Sequence, residues 1–131
     1  MRIAKTGGTP AVGLVIAVGA MLMAALAADP AGAADAEHGK AVFQTCAACH
    51  TEKPDAIGPN LRGVYGRKSG SLEDFRYSNA MTRANLVWDE ANLRDYLKDP
   101  QGKVKGNRMP FAGLTDPKDI DDVIAYLKDY K

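Results

Sequence analysis

Cys46-Ala47-Ala48-Cys49-His50 places two thiols and an imidazole within five residues, a C-x-x-C-H pattern. In helical form Cys46 and Cys49 stand at i and i+3, with His50 at i+4 from Cys46, so all three project from one face. That arrangement suits covalent attachment of a c-type haem. Two thioether bonds clamp the porphyrin edge, and the neutral imidazole supplies the proximal iron ligand. Rival uses of the same residues are poorly served. A dithiol oxidoreductase wants a βαβ setting and a structural zinc site wants four ligands, whereas the chain has only these two cysteines and one other histidine, His38.

Upstream of the motif, the segment from about Asp35 to Cys46 predicts a short helix, with Asp35 as N-cap and Val42 and Phe43 as its apolar contribution. His38 lies on this helix and reads as an exposed or partly exposed residue rather than a ligand. Further back, Arg2 and Lys5 precede an uncharged run from Ala11 to Ala28, and Ala31-Gly32-Ala33 supplies a small-x-small cleavage pattern. Residues 1–33 therefore read as a secretory signal peptide and 34–131 as the exported domain; Ala34-Asp35-Ala36 offers a second cut. The alternative is an uncleaved membrane anchor, since 18 apolar residues are at the lower limit for spanning a bilayer. Both readings put the domain on the periplasmic side, because basic N-terminal residues stay in the cytoplasm.

The whole chain has 131 residues, 46% hydrophobic and 25% charged, as expected of one ordinary globular domain. Residues 1–33 carry Arg2, Lys5 and Asp29, so fifteen basic and fifteen acidic side chains remain without them. A formally neutral polypeptide offers no field for nucleic acid. Fewer than 100 residues is also a marginal length for a core built from side chains alone, and a covalently held prosthetic group relieves that shortage.

Downstream, Thr51 to Tyr77 has no sustained period and is punctuated by Pro54, Gly58-Pro59, Gly63, Gly66 and Gly70. A loop that long in a small domain needs a purpose, and wrapping a prosthetic group is one. Ser78 to Ala84 gives a weak signal for a short helix. A clearer helix starts at Asp89, carries Leu93, Tyr96 and Leu97 on one face and ends at Asp99-Pro100. Tyr96 and its neighbours are then core and haem-pocket wall at once. A second irregular loop runs from Pro100 to Thr115. The last helix has Asp116 as N-cap, Pro117 at N1, and Ile120, Val123, Ile124 and Leu127 at i, i+3, i+4 and i+7.

The stretch Gly58-Pro59-Asn60-Leu61-Arg62-Gly63-Val64-Tyr65-Gly66-Arg67-Lys68-Ser69-Gly70 resembles class I cytochromes c of the mitochondrial and related bacterial kind. The likeness continues through Phe75-Arg76-Tyr77-Ser78, Trp88, Tyr96 to Pro100, Met109 with Phe111-Ala112-Gly113, and Ile124 to Lys128, so it covers Gly39 to Lys128. The resemblance implies a small all-α fold in which the N- and C-terminal helices pack together, joining Gly39 and Phe43 to Val123 and Tyr126, while long loops wrap one haem c. Met109 stands as sixth ligand, since Met1, Met21 and Met23 belong to the leader and Met81 falls where the family offers none. Tyr77, Trp88, Arg67 and Asn107 match the propionate partners, and Pro59 matches the residue whose carbonyl accepts the His50 N–H.

The same resemblance implies a single-haem electron carrier, not an enzyme, exchanging electrons with redox protein partners, with no small-molecule substrate and acting as a monomer. A haem enzyme or gas-binding sensor would need a labile sixth ligand in place of Met109, and a membrane-tethered subunit of a redox complex would keep residues 1–33. Two departures from the mitochondrial pattern stand out. Met81 replaces a usual asparagine beside the haem, and Thr45, Gln101 and Gly102 occupy places where a lysine ring is expected. Lys53, Lys103, Lys105 and Arg108 are the charges left near the haem edge, beside Ala47, Ala48, Ile57, Pro110 and Phe111.

Overall fold

The computed structural model describes residues 32–131, with Gly7, Gly8 and Gly13 of the leader; the proposed signal peptide otherwise lies outside the described residues. Among the described residues five helices occur in order: α1 Ala36–Ala47, α2 Asn79–Arg83, α3 Glu90–Lys98, α4 Pro100–Lys103 and α5 Pro117–Asp129. Among the described residues there is no strand, only an isolated antiparallel bridge between Lys68 and Val87. No helix of the described residues is long and apolar enough to cross a membrane.

Local chemistry sets the helix starts. The Asp35 carboxylate accepts the amides of Glu37 and His38, Ser78 that of Met81, Asp89 that of Asn92 and Asp116 that of Lys118. Each cap satisfies amides that have no partner inside the helix. α4 interrupts the stretch expected to be irregular from Pro100 onward. Asp99 both closes α3 and caps α4, accepting the Gly102 amide at 2.9 Å, and Pro100 sits at the first helical position, where its missing N–H costs nothing.

The frame is the crossing of α1 and α5. A Cβ added to Gly39 would lie 1.9 Å from the Asp122 carbonyl oxygen, so the two backbones touch there and only glycine fits. Phe43 packs its ring against Tyr126 and Tyr130, with centroids 5.1 and 5.0 Å away. Behind them Ile120, Val123, Ile124 and Leu127 of α5 join Leu93, Tyr96 and Leu97 of α3 in one core with Trp88, Val64 and Val104. At the same crossing Asp122, 1% exposed, accepts the Asp35 amide at 2.7 Å and meets His38 Nδ1 at 2.7 Å and the Lys118 ammonium. Burial pushes this carboxyl up, but those three partners outweigh it and hold it at about 2.

The long segment between α1 and α2 is fixed by its backbone. Gly66 N–H donates to Trp88 O, Trp88 N–H to Arg67 O and Ser69 N–H to Leu86 O, while Gly63 N–H donates to Tyr130 O at 2.7 Å. The loop is thus tied at one point to the strand-like residues before α3 and at another to the end of α5.

Candidate functional site

A cavity of about 580 Å³ opens between these loops and the helical core, within the range of small-molecule and cofactor sites. Cys46, Cys49, His50 and Met109 all line it, with Pro59, Arg67, Tyr77, Trp88, Tyr96 and Asn107 also on its walls. The sequence therefore named ten residues that the fold brings to a single cavity.

The C-x-x-C-H stretch straddles the end of α1. Helical hydrogen bonding continues past Ala47, since the Cys49 and His50 amides both reach the Cys46 carbonyl, at 3.1 and 2.9 Å. That turn keeps the two thiols and the imidazole on one side. Both cysteines are free and half-buried, and burial pushes the Cys46 thiol up. Among the described residues no cluster of three or more His, Cys, Asp or Glu could hold a metal ion, which leaves the zinc alternative without ligands.

His50 is positioned from two sides. Its Nδ1 donates to the Pro59 carbonyl at 2.7 Å, which fixes the tautomer and leaves Nε2 as the free lone pair. Burial pushes the imidazole down and the Pro59 carbonyl opposes it, so the ring is neutral at pH 7, the form that ligates iron. Gly58 makes room for the ring: a Cβ there would sit 2.6 Å from His50 Cε1, and its amide donates to the Cys49 carbonyl at 2.9 Å. In the sequence Gly58 reads as punctuation and as the start of the resembling stretch, with no role toward His50.

Also lining the cavity, the Tyr96 hydroxyl donates to Met109 Sδ at 3.4 Å, and burial raises that phenol to about 12, so it remains a donor. The Tyr96 ring packs against Trp88 with centroids 4.9 Å apart. Met81, on α2, also lines the cavity.

Arg67 gives two of its five N–H donors to the carbonyls of Arg62 and Asn60, at 3.0 and 2.8 Å, which leaves three for other acceptors. Burial pushes the Tyr77 hydroxyl up, with the Arg67 charge opposing, so it too is a donor at pH 7. Asn107 departs from the sequence expectation. Both hydrogens of its amide go to carbonyls, Pro100 at 2.8 Å and Val104 at 2.9 Å, so it has none to give a propionate. His38 lines no part of this cavity; its place is the α1–α5 crossing, paired with Asp122.

Two thiols, a neutral imidazole with its back nitrogen held, a thioether and a set of donors form the donor set that a haem with two carboxylate arms requires. Comparison with known proteins agrees: a family model for cytochrome c matches residues 36–131. The chain belongs to the cytochrome c family. Its members carry haem c on cysteines spaced as Cys46 and Cys49 are and transport electrons with it. Cytochrome c2 of Blastochloris viridis is 41% identical over 113 residues, covering 84% of this chain and 89% of that protein. Cytochrome c2 iso-2 of Magnetospirillum fulvum is 49% identical over 88 residues, or 66% and 92% of the two chains. Among solved structures, cytochrome cH from Methylobacterium extorquens superposes with a TM-score of 0.68 at 44% identity, covering 72% of this chain and 97% of its own. The all-α cytochrome c fold expected from the sequence is the fold observed.

Proposed function

We propose that this chain is an exported single-haem electron carrier whose iron His50 and Met109 would hold, and that it is not an enzyme. The observation that carries the reading is Met109. It lines the same cavity as Cys46, Cys49 and His50 with its sulfur held by Tyr96, which supports a thioether ligand where a haem enzyme or gas sensor would keep an open position. When bound, the haem supplies a one-electron ferric/ferrous couple.

The rest of the mechanism belongs to the protein. Cys46 and Cys49 would hold the haem covalently, and Pro59 and Gly58 hold the His50 ring in one tautomer and orientation. Met109 offers a soft sulfur that favours the reduced state and raises the potential, and Tyr96 withdraws electron density from that sulfur in the same direction. Arg67, Tyr77 and Trp88 supply the donors that buried propionates need. The low-exposure walls of Leu93, Tyr96, Leu97, Val123 and Leu127 exclude water from the site. The redox partners are proteins, and residues 1–33 are a leader removed on export to the periplasm.

Purified periplasmic protein tests all three parts. Its mass should equal the chain without residues 1–33 plus one haem. The oxidised spectrum should show a far-red sulfur-to-iron band. Cys46→Ala with Cys49→Ala should leave no haem that survives acid-acetone extraction. A retained leader, a missing far-red band or covalent haem on the double variant would each overturn the corresponding part.

A further inference from the structure

We propose that Asn107 is the positioning residue of Met109, a polar clasp that holds the methionine loop to the end of α4. Three hydrogen bonds converge on this one side chain, which is 7% exposed. Its nitrogen donates to the carbonyls of Pro100 and Val104, and its oxygen accepts the Met109 amide at 2.9 Å. The orientation of the amide is dictated by these partners, since a flip would set N–H against N–H and oxygen against two carbonyls.

The clasp has a second tie. Gln101 Nε2 donates to the Asn107 carbonyl at 3.0 Å and its Oε1 accepts the Gly106 amide at 3.3 Å, while the Asn107 amide donates to Val104 O at 3.0 Å. Two side chains on or beside α4 thus fix the backbone on the N-terminal side of Met109. Beyond it the backbone is next tied to another element where Leu114 N–H donates to Leu97 O at 2.8 Å, so from Arg108 to Gly113 the main chain makes two bonds, the Met109 amide to Asn107 Oδ1 and the local Phe111-to-Met109 bond. Met109 is therefore carried on a span whose main chain is pinned at its near end by Asn107, its other ties being side-chain ones, Arg108 to the Arg76 carbonyl and Tyr96 to the Met109 sulfur. A sulfur ligand so placed leaves its position when the span swings away, and the clasp sets how often that happens. This role rests on Met109 as sixth ligand, whereas the clasp itself does not.

Two measurements on the holoprotein separate those statements. Native-state hydrogen exchange at the Met109 amide reads the clasp directly, whatever ligates the iron. The limiting rate of imidazole entry at saturating imidazole reads the opening of the sixth position. Asn107→Ala removes an acceptor from a buried amide and should accelerate both by roughly ten- to hundredfold. Asn107→Asp keeps the acceptor but sets a carboxylate against the Pro100 and Val104 carbonyls, so it should also accelerate both. Gln101→Ala should act in the same direction with a smaller effect and decides the matter if the Asn107 variants do not fold. Ile120→Val, which trims the core elsewhere, should leave both rates within about twofold. Unchanged Met109 exchange in the Asn107 and Gln101 variants would overturn the proposal. Faster exchange with an unchanged imidazole rate would keep the clasp and overturn its control of ligation. A parent without the far-red band would show that Met109 is not the ligand while exchange still judges the clasp.

Discussion

At the residue scale the division of labour between two methionines is the sharpest test. Met109 and Met81 both line the cavity, but only Met109 has its sulfur held by a donor, the Tyr96 hydroxyl. Met109→Ala should lower the potential by on the order of 100 mV or more and create affinity for carbon monoxide or cyanide. Met81→Ala should do neither; redox titration and ligand binding on the two variants check this, and the reverse result would move the ligand to Met81. That Cys46, Cys49, His50 and Met109 belong to one cavity was legible from spacing and resemblance, because the chemistry proposed for them restricts residue type. Asn107 was misread because its partners are backbone carbonyls of Pro100 and Val104, whose positions come from a fold that no local pattern announces. Gly58 was passed over for the same reason, since the His50 ring it makes room for is placed by the fold.

At the element scale the crossing of α1 and α5 decides stability. Gly39→Ala drives a methyl into the Asp122 carbonyl at 1.9 Å, where backbone rather than a flexible side chain must yield. It should cost at least about 2 kcal/mol in urea denaturation, at the upper end of overpacking penalties or beyond. The same crossing carries a pH dependence. The Asp122 carboxyl is depressed from 3.8 to about 2 in the folded protein, so its contribution is complete above its unfolded value and is lost as pH falls through the folded one. Between roughly pH 4 and pH 2 stability should fall by on the order of 1–2 kcal/mol on this account, and Asp122→Asn should flatten that part of the profile. α5 was readable from Asp116-Pro117 and its i, i+3, i+4, i+7 stripe. The four-residue α4 was not, because a single turn has no period to detect and its cap, Asp99, is also the residue that ends α3.

At the scale of the molecule, the cavity lining combines exposed apolar groups with exposed charges of both signs, Asp74 and Arg76. Ile57 is 70% exposed, and Ile57 and Pro110 both line the opening. Of the cations expected there, Lys103 is paired with Asp95 at 2.9 Å and Arg108 donates to the Arg76 carbonyl, which leaves Lys53 and Lys105 as the less committed pair. The second-order rate with the native redox partner should therefore fall only shallowly with ionic strength, compared with a carrier that uses a lysine ring. Stopped-flow kinetics over a salt series checks this, and an equally steep fall would restore those cations to the leading role.

The close approach at Gly39 also has a meaning in time. His38 and Asp122, which meet across the crossing, are 84 residues apart in sequence. A chain made from its N-terminus presents the segment with both thiols long before the helix that will cover its flank exists. Throughout that interval Cys46 and Cys49 lack the cover of α5, so chain order alone leaves the thiols accessible before the latch closes over their flank.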